Sequence, residues 1–152
     1  GLEAGLGLIY LTNLSVFAYV HGAEVAALIG GITSASLVAF LFFNAYPARI
    51  FPGDSLTYLL GGVLVSMAIL GNIEIAALVV SIPFFFEFIL KLRGRLQKQS
   101  YGMLVNGKVQ SLYDKIYSLP HFFTISGKYT ERHVVVFVWA IGLFFSFLIW
   151  LL

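Results

Sequence analysis

Five apolar runs, each close to the length of a membrane-spanning helix, restrict what this chain can fold into. They cover residues 4–20, 24–43, 56–71, 74–92 and 134–152. A helix needs about 20 largely apolar residues to cross a bilayer. It is suited to that environment because its backbone N–H and C=O groups hydrogen-bond to each other. The chain is 60% hydrophobic and only 11% charged, beyond the range of soluble domains. The sequence predicts an all-α, multi-pass membrane helix bundle with about five transmembrane helices.

The positive charges of the chain follow the order of these runs. All nine Lys and Arg residues lie in or beside two long connections, 44–55 and 93–133, which five spans place on the same side of the membrane. Basic loops mark the cytoplasmic side. The opposite side carries only His21, Glu24 and Glu74 as ionisable groups. Cysteine is absent, which excludes disulfides and thiolate metal sites. Because the first residue is Gly and not Met, and no basic stretch precedes the first run, we expect no signal peptide and a chain that begins inside a longer protein.

The short connection 44–55 is the first candidate for chemistry. Pro47 and Pro52 fix their own φ and disfavour helix in the residue before them, so the loop cannot merge with its flanking helices. Gly53 allows close approach of the backbone, and Asp54 follows where the next apolar run begins, near the positive end of a helix dipole. A carboxylate there can bind a metal ion or a metal phosphate. Alternatively, Asp54 or its neighbour Ser55 only caps the helix.

A basic cluster, Lys91, Arg93 and Arg95, ends the fourth run. Two guanidinium groups two residues apart suit a diphosphate, because each binds phosphate oxygens in a bidentate fork. The alternative is that the cluster orients the helix and contacts anionic lipids. A carboxylate loop and an Arg-x-Arg turn on one face favour the first interpretation.

Glu87 lies inside the apolar stretch 83–88 and is therefore a candidate functional residue. The alternative is an ion pair with Lys91, four residues later on the same helix. His121 and His133 have no carboxylate or second histidine at metal-ligand spacing, so we do not assign them to a metal site.

The connection 93–133 is too long for a plain linker. Asn106-Gly107 stands between short alternating runs and predicts a β-hairpin with a two-residue turn. The aromatic-rich stretch that follows, 109–123, either lies among lipid headgroups or packs over the ends of the helices.

Small residues predict how two spans pack. The second run carries Ala27, Gly31, Ala35 and Ala39 at four-residue spacing, a stripe that lets another helix approach closely. The third run is short and contains Gly61 and Gly62, so we expect it to lie inside the bundle.

Three stretches resemble the polyprenyl-phosphate N-acetylhexosamine-1-phosphate transferases of glycosyltransferase family 4, in particular their archaeal and eukaryotic branch. Residues 1–5, Gly-Leu-Glu-Ala-Gly, resemble the end of that branch's Asn-Gly-Leu-Glu-Ala-Gly segment. Residues 44–55 resemble its Asn-x-x-Pro-x-Arg-Val-Phe-x-Gly-Asp-Thr loop. Residues 130–133, Thr-Glu-Arg-His, are similar to a His-Glu-Arg-Asn stretch before the last span.

The resemblance implies a transfer of N-acetylglucosamine 1-phosphate from UDP-N-acetylglucosamine to a polyprenyl phosphate such as dolichyl phosphate, which begins lipid-linked glycan assembly for N-glycosylation. It implies Mg²⁺ as cofactor, with Asp54 as its ligand, and Arg93 and Arg95 as catalytic residues at the sugar diphosphate. The remaining implied substrate-binding residues are Gly1, Glu3, Asn44, Phe51 and Gly53, with Phe51 against the uracil, and we add Glu87 to this set. Membrane lipids are further partners, a homodimer is compatible with this reading, and no nucleic acid is expected.

Members of this family have about twice this length and ten spans. The chain is similar to their carboxy-terminal half, so we expect it to be inactive alone, within an archaeal cell membrane or the endoplasmic reticulum. Two rivals are a bacterial-type enzyme acting on undecaprenyl phosphate and a non-enzymatic module such as half a transporter. Transporters place ionisable groups near the midplane of the bilayer, whereas these lie at one interface.

Overall fold

The computed structural model describes all 152 residues as a bundle of long helices with a small hairpin at one end. The elements are α1 Leu2–Val20, α2 Glu24–Asn44, α3 Gly53–Gly71, α4 Glu74–Val80, α5 Ile82–Arg93, β1 Gly102–Val105, β2 Lys108–Ser111, α6 His121–Thr124 and α7 Glu131–Phe147, which continues as a 3₁₀ turn, Leu148–Leu151. Four helices are long and apolar enough to span a membrane, and there are five if the bent pair α4 and α5 is counted as one span. This confirms the predicted all-α multi-pass bundle.

The helix α1 is the centre of the bundle, in contact with α2, α3, α4 and α7. It buries eight residues, among them Tyr10, Leu11, Leu14 and Phe17. Two of its glycines allow a neighbour to approach closely: a Cβ added at Gly5 would overlap the indole ring of Trp139, and one at Gly7 would overlap the Leu60 side chain of α3. The first span is therefore the scaffold around which the other helices are arranged.

The helices α1 and α7 run parallel, as the first and fifth spans of a five-span chain must. Three side chains of α7 and its 3₁₀ turn reach partners on α1 that lie 137 positions earlier in each case. The pairs are Trp139 Nε1 to the Leu2 carbonyl at 3.1 Å, Ser146 Oγ to the Ile9 carbonyl at 3.5 Å, and Trp150 Nε1 to Asn13 Oδ1 at 2.9 Å. A constant separation is the signature of two parallel helices in register.

The small residues that pack α2 against the bundle differ by one position from those that the sequence predicted. Ala26, Gly30 and Ser34 are buried, and a Cβ at Gly30 would meet the Met67 side chain of α3 and Ser15 of α1. In the predicted stripe Gly31, Ala35 and Ala39 are exposed and Ala27 is half-buried. Within this chain the predicted stripe is therefore not the one that packs, because both stripes repeat every four residues and spacing alone does not distinguish them.

The fourth span is broken. The axes of α4 and α5 differ by 52° at Ser81, whose hydroxyl donates to the Ala77 carbonyl at 2.7 Å. Pro83 stands at the start of α5 and has no N–H to continue the helix ladder. The sequence predicted a span over 74–92 but not its division into two helices, of which Pro83 was the signal.

The helix α3 lies at the edge of the bundle and buries only Met67 and Ala68. A Cβ at Gly61 or Gly62 would meet nothing within 4 Å. Within this chain, the expectation that the third span lies inside the bundle was wrong.

The predicted hairpin is confirmed, with Val105 opposite Lys108 and a turn at Asn106 and Gly107. Both turn residues have positive φ, 50° and 76°, as the favoured two-residue hairpin turn requires. Beyond it, the rings of Phe123 and Tyr129 lie 5.0 and 5.1 Å from that of Phe137 on α7. The aromatic segment thus packs over the end of a span.

Candidate active site

One end of the bundle, which we call the loop end, gathers the polar connections. The helices α1, α3 and α7 begin there, and α2 and α5 end there. On α1, Tyr10 packs against Phe84 of α5 with ring centroids 5.0 Å apart. Nine residues separate Tyr10 from Gly1 and Phe84 from Arg93, about 14 Å of helix in each case. Arg93 therefore lies toward the loop end, on the same side of the Tyr10–Phe84 contact as Gly1.

The first and second of the three noted stretches are in contact at the loop end. The Gly1 nitrogen donates to the Asn44 carbonyl at 2.9 Å. A Cβ at Gly1 would lie 3.3 Å from the Ala45 Cα. The start of α1 is therefore pressed against the loop that follows α2.

Hydrogen bonds within the chain fold the loop 44–55 back on the end of α2. Asn44 is buried, and its Nδ2 donates to the Ile50 carbonyl at 2.8 Å. The Phe43 carbonyl accepts from the Arg49 and Ile50 N–H groups at 2.8 and 3.2 Å. Phe51 follows with 82% of its surface exposed. Asn44 thus shapes the loop, while Phe51 is open to a ligand; their roles in substrate binding stay predictions.

Asp54 lies in the first turn of α3, as the sequence predicted, with its side chain exposed. Gly53 has a φ of +57°, a left-handed conformation that glycine adopts without strain. No side chain caps α3, and the hydroxyl of Thr57 donates to the Asp54 carbonyl at 2.8 Å. The capping alternative is therefore not realised, and the carboxylate is left without a partner in this chain.

Glu3 lines a cavity of about 310 Å³ between α1, α3 and α5. Thr57, one turn beyond Asp54, lines the same cavity, whereas Asp54 itself does not. The rest of the lining is apolar, including Leu60, Leu64 and Phe84. The cavity can hold a hydrocarbon chain whose polar end stays at the loop end.

The third stretch, before α7, also reaches the loop 44–55. The guanidinium carbon of Arg132 lies 4.7 Å from the centre of the Tyr46 ring, a cation–π distance. Thr130 Oγ1 and His133 Nδ1 are 2.6 Å apart, which orders the turn that precedes α7. The structure thus brings together all three stretches, which are far apart in sequence. Tyr46 was missed because its partner is more than 80 residues away.

Arg93 and Arg95 follow directly from the end of α5 and are exposed. Arg95 and Leu96 have positive φ, 52° and 59°, in a turn that the Leu96 N–H closes onto the Lys91 carbonyl at 2.9 Å. No hydrogen bond joins either guanidinium to another residue of this chain. Both are free to bind an anion, and their role as catalytic residues stays a prediction.

Glu87 does not pair with Lys91. Its Oε2 accepts the Leu119 N–H at 2.7 Å, while Lys91 Nζ donates to the Lys98 carbonyl at 3.0 Å and to the Ser100 hydroxyl. The ion-pair alternative was therefore wrong, because both side chains bind the long connection instead of each other.

His121, the first residue of the short helix α6 within the long connection, is fully buried. Its Nδ1 accepts the Tyr117 N–H at 3.1 Å, and its Nε2 has no hydrogen-bond partner. Burial lowers the pKa of His121 from its usual value, the nearby Gln99 carbonyl opposes this, and the charge of Lys91 adds to it. No periodic pattern in the sequence indicated that this side chain would be buried.

These segments are shared with known proteins. The family model for glycosyl transferase family 4 matches residues 1–72, which contain α1, α2, the loop 44–55 and α3. A protein of Saccharolobus solfataricus, named as a UDP-N-acetylglucosamine–dolichyl-phosphate N-acetylglucosaminephosphotransferase, is 35% identical over 96% of this chain and 46% of its own length. The chain belongs to glycosyl transferase family 4.

Other relatives extend the match across the family. A protein of Sulfolobus acidocaldarius with the same name is 34% identical over 97% of the chain and 46% of its own length. A phospho-N-acetylmuramoyl-pentapeptide-transferase of Anoxybacillus flavithermus is 30% identical over 97% of the chain and 43% of its own length. The chain therefore spans about half the length of these relatives, and the similarity continues past α3 through the broken span and α7.

The donor set at the loop end fits one part of a Mg²⁺ site. Mg²⁺ keeps several waters and binds one or two carboxylates together with substrate phosphates. The carboxylate of Asp54 is exposed and engaged by no other residue of the chain, as such a ligand requires. No three His, Asp or Glu side chains of the chain cluster as a complete metal site. Asp54 can thus supply one ligand, with the others from substrate, water or further protein groups.

Proposed function

We propose that the complete protein transfers N-acetylglucosamine 1-phosphate from UDP-N-acetylglucosamine to a polyprenyl phosphate such as dolichyl phosphate, and releases UMP. The observation that carries this proposal is the meeting of three distant stretches at the loop end beside the free carboxylate of Asp54. The substrate classes come from the names of the two archaeal relatives. The loop end is the cytoplasmic face, since all nine basic residues lie there.

In the reaction, an oxygen of the lipid phosphate attacks the β-phosphorus of the nucleotide sugar. A new P–O bond forms there, and the bond from that phosphorus to the bridging oxygen breaks, so that UMP leaves. Asp54 would hold Mg²⁺, which neutralises charge on the diphosphate as the bond breaks. Arg93 and Arg95 bind phosphate oxygens in bidentate fashion and orient the diphosphate for in-line attack.

The two substrates approach the loop end from different sides. Phe51, exposed beside the Asp54 turn, offers a ring on which uracil can stack. The apolar cavity lined by Glu3, Thr57 and Phe84 is large enough for the first part of the lipid tail. A water-soluble nucleotide sugar and a membrane-embedded lipid can thus meet without either leaving its own phase.

The test is a transfer assay with the complete protein in detergent or nanodiscs. Radiolabelled UDP-N-acetylglucosamine, dolichyl phosphate and Mg²⁺ should yield a labelled lipid diphosphate and UMP, and chelation of Mg²⁺ should abolish the product. UDP-N-acetylmuramoyl-pentapeptide with undecaprenyl phosphate is the matched alternative, since a relative of 30% identity is named for it. Product only from that pair would replace our proposal by the bacterial-type reaction. Product from neither pair would refute it.

A further inference from the structure

The carboxylate of Glu87 binds a backbone N–H group of the long connection. It lies on α5, half-buried, six residues after the break at Ser81. Its Oε2 accepts the Leu119 N–H across 32 residues of sequence at 2.7 Å. A hydrogen bond from an N–H to a charged acceptor is among the stronger ones in proteins. This bond therefore fastens the long connection to the broken span.

The segment that Glu87 holds, residues 117–124, contains three buried polar side chains. Ser118, His121 and Thr124 are all at most 2% exposed. The Tyr117 N–H donates to His121 Nδ1 at 3.1 Å, so the backbone on either side of Ser118 is fixed by a side-chain acceptor. Two side-chain acceptors, Glu87 Oε2 and His121 Nδ1, therefore hold this stretch of backbone, and the loss of either would leave its N–H donor without a partner in the chain.

The segment in turn packs against the arginine turn. A Cβ added at Gly94, the residue between Arg93 and Arg95, would lie 2.8 Å from the Lys98 side chain and 3.2 Å from the Tyr117 ring. The contact series thus runs from Glu87 through the Leu119 and Tyr117 backbone to Gly94. From the other side, Lys91 holds the chain just after the turn through the Lys98 carbonyl and the Ser100 hydroxyl.

We propose that Glu87 is a positioning residue and not a substrate ligand: by accepting the Leu119 N–H it holds Tyr117 against Gly94, and so fixes the direction of Arg93 and Arg95. This inference rests on the proposed function only for the role of the two arginines. The contact itself can be tested without any turnover.

The decisive comparison is Glu87→Gln with Glu87→Leu in the complete protein. The Gln amide oxygen can still accept the Leu119 N–H, although without charge, whereas Leu has a similar volume and no acceptor. In Glu87→Leu, hydrogen exchange of peptides covering residues 117–121 should speed up about tenfold or more, and in Glu87→Gln it should change clearly less. Equal protection in the wild type and both variants would overturn the contact, and with it the proposal.

Kinetics separate positioning from ligand binding. If the arginine turn loosens, Glu87→Leu should raise KM for the nucleotide sugar about tenfold with a smaller change in kcat, and Glu87→Gln should restore most of the loss. If Glu87 instead bound the substrate through its charge, both variants would lose that binding equally, and this result would refute the proposal. A KM unchanged in Glu87→Leu would also refute it, since Glu87 would then serve stability alone. A wild-type protein without transfer activity would refute the proposed function, while the exchange result would still stand.

Discussion

The helices α1 and α3 lie side by side, yet their environments are opposite. In α1 eight residues are buried, and the indole of Trp139 occupies the space beside Gly5. In α3 two residues are buried, and Gly61 faces open space. The helix α1 therefore supplies most of the packing in this chain, whereas α3 presents Asp54 at its exposed start. The comparison teaches that the scaffold and the candidate chemistry are assigned to different helices, so mutations can separate them.

The largest expected effect is on activity, at the start of α3. Asp54→Asn removes the charge and keeps the size, so transfer should fall by about 100-fold or more, in line with the loss of an electrostatic group in a site. The free energy of unfolding should change by less than about 0.5 kcal/mol, because the side chain is exposed and has no partner. Steady-state transfer assays and thermal unfolding in detergent measure both quantities.

Glu74→Gln is the matched control for this variant. Glu74 is also an exposed carboxylate in the first turn of a helix, but it lies at the opposite end of the bundle. Its replacement should leave transfer unchanged. A comparable loss in both variants would mean that helix-end charge, and not a site at the loop end, controls activity.

The next largest effect is on stability, inside α1. Gly5→Ala places a methyl group in the space of the Trp139 ring, which hydrogen-bonds to the Leu2 carbonyl at 3.1 Å. Overpacking of this kind costs about 1–3 kcal/mol, so we expect a lower unfolding temperature. Thermal unfolding followed by near-ultraviolet circular dichroism, which reports on tryptophan packing, is the measurement.

The same substitution in α3 should act in the opposite direction. Gly61→Ala has room for its methyl group and removes a flexible residue from a helix, so it should stabilise by about 0.5–1 kcal/mol. The same thermal unfolding experiment applies. Destabilisation equal to that of Gly5→Ala would break the comparison, because it would show that another part of the complete protein covers α3.

A smaller effect is expected where α7 meets the loop 44–55. Arg132→Gln removes the cation above the Tyr46 ring, a contact of about 0.5–1 kcal/mol at an exposed site. The loop should loosen while α1 stays protected. Hydrogen exchange of peptides from both regions measures this, and unchanged exchange in the loop would show that the contact contributes nothing.

The smallest effect is a pH dependence in the long connection. Burial lowers the pKa of His121 in the folded state below its unfolded value of 6.5. Below pH 6.5 the unfolded segment therefore binds more protons than the folded one, and stability decreases as pH falls toward the folded pKa. Hydrogen exchange of residues 117–124 should accelerate over that range, and His121→Gln should remove the dependence. Equal acceleration in the variant would assign it to another group.

Much of the architecture could be predicted from residue patterns because each pattern acts locally. Span boundaries follow from runs of apolar residues, and the hairpin follows from Asn106-Gly107, whose positive φ values few other pairs adopt. The position of Asp54 in a first helical turn follows from the two prolines before it. The sequence did not predict the packing face of α2, because two adjacent stripes of small residues have the same spacing.

The sequence by itself determined the membrane class, the number of spans and the accumulation of basic residues at one end, because hydrophobicity and charge act on each segment independently. Only the tertiary structure decided which partner each polar side chain takes. Tyr46 finds Arg132, and Glu87 binds the Leu119 N–H instead of Lys91 four residues away. The physical reason is that a side chain binds the groups that the fold brings near it, and distance along the chain does not limit that choice.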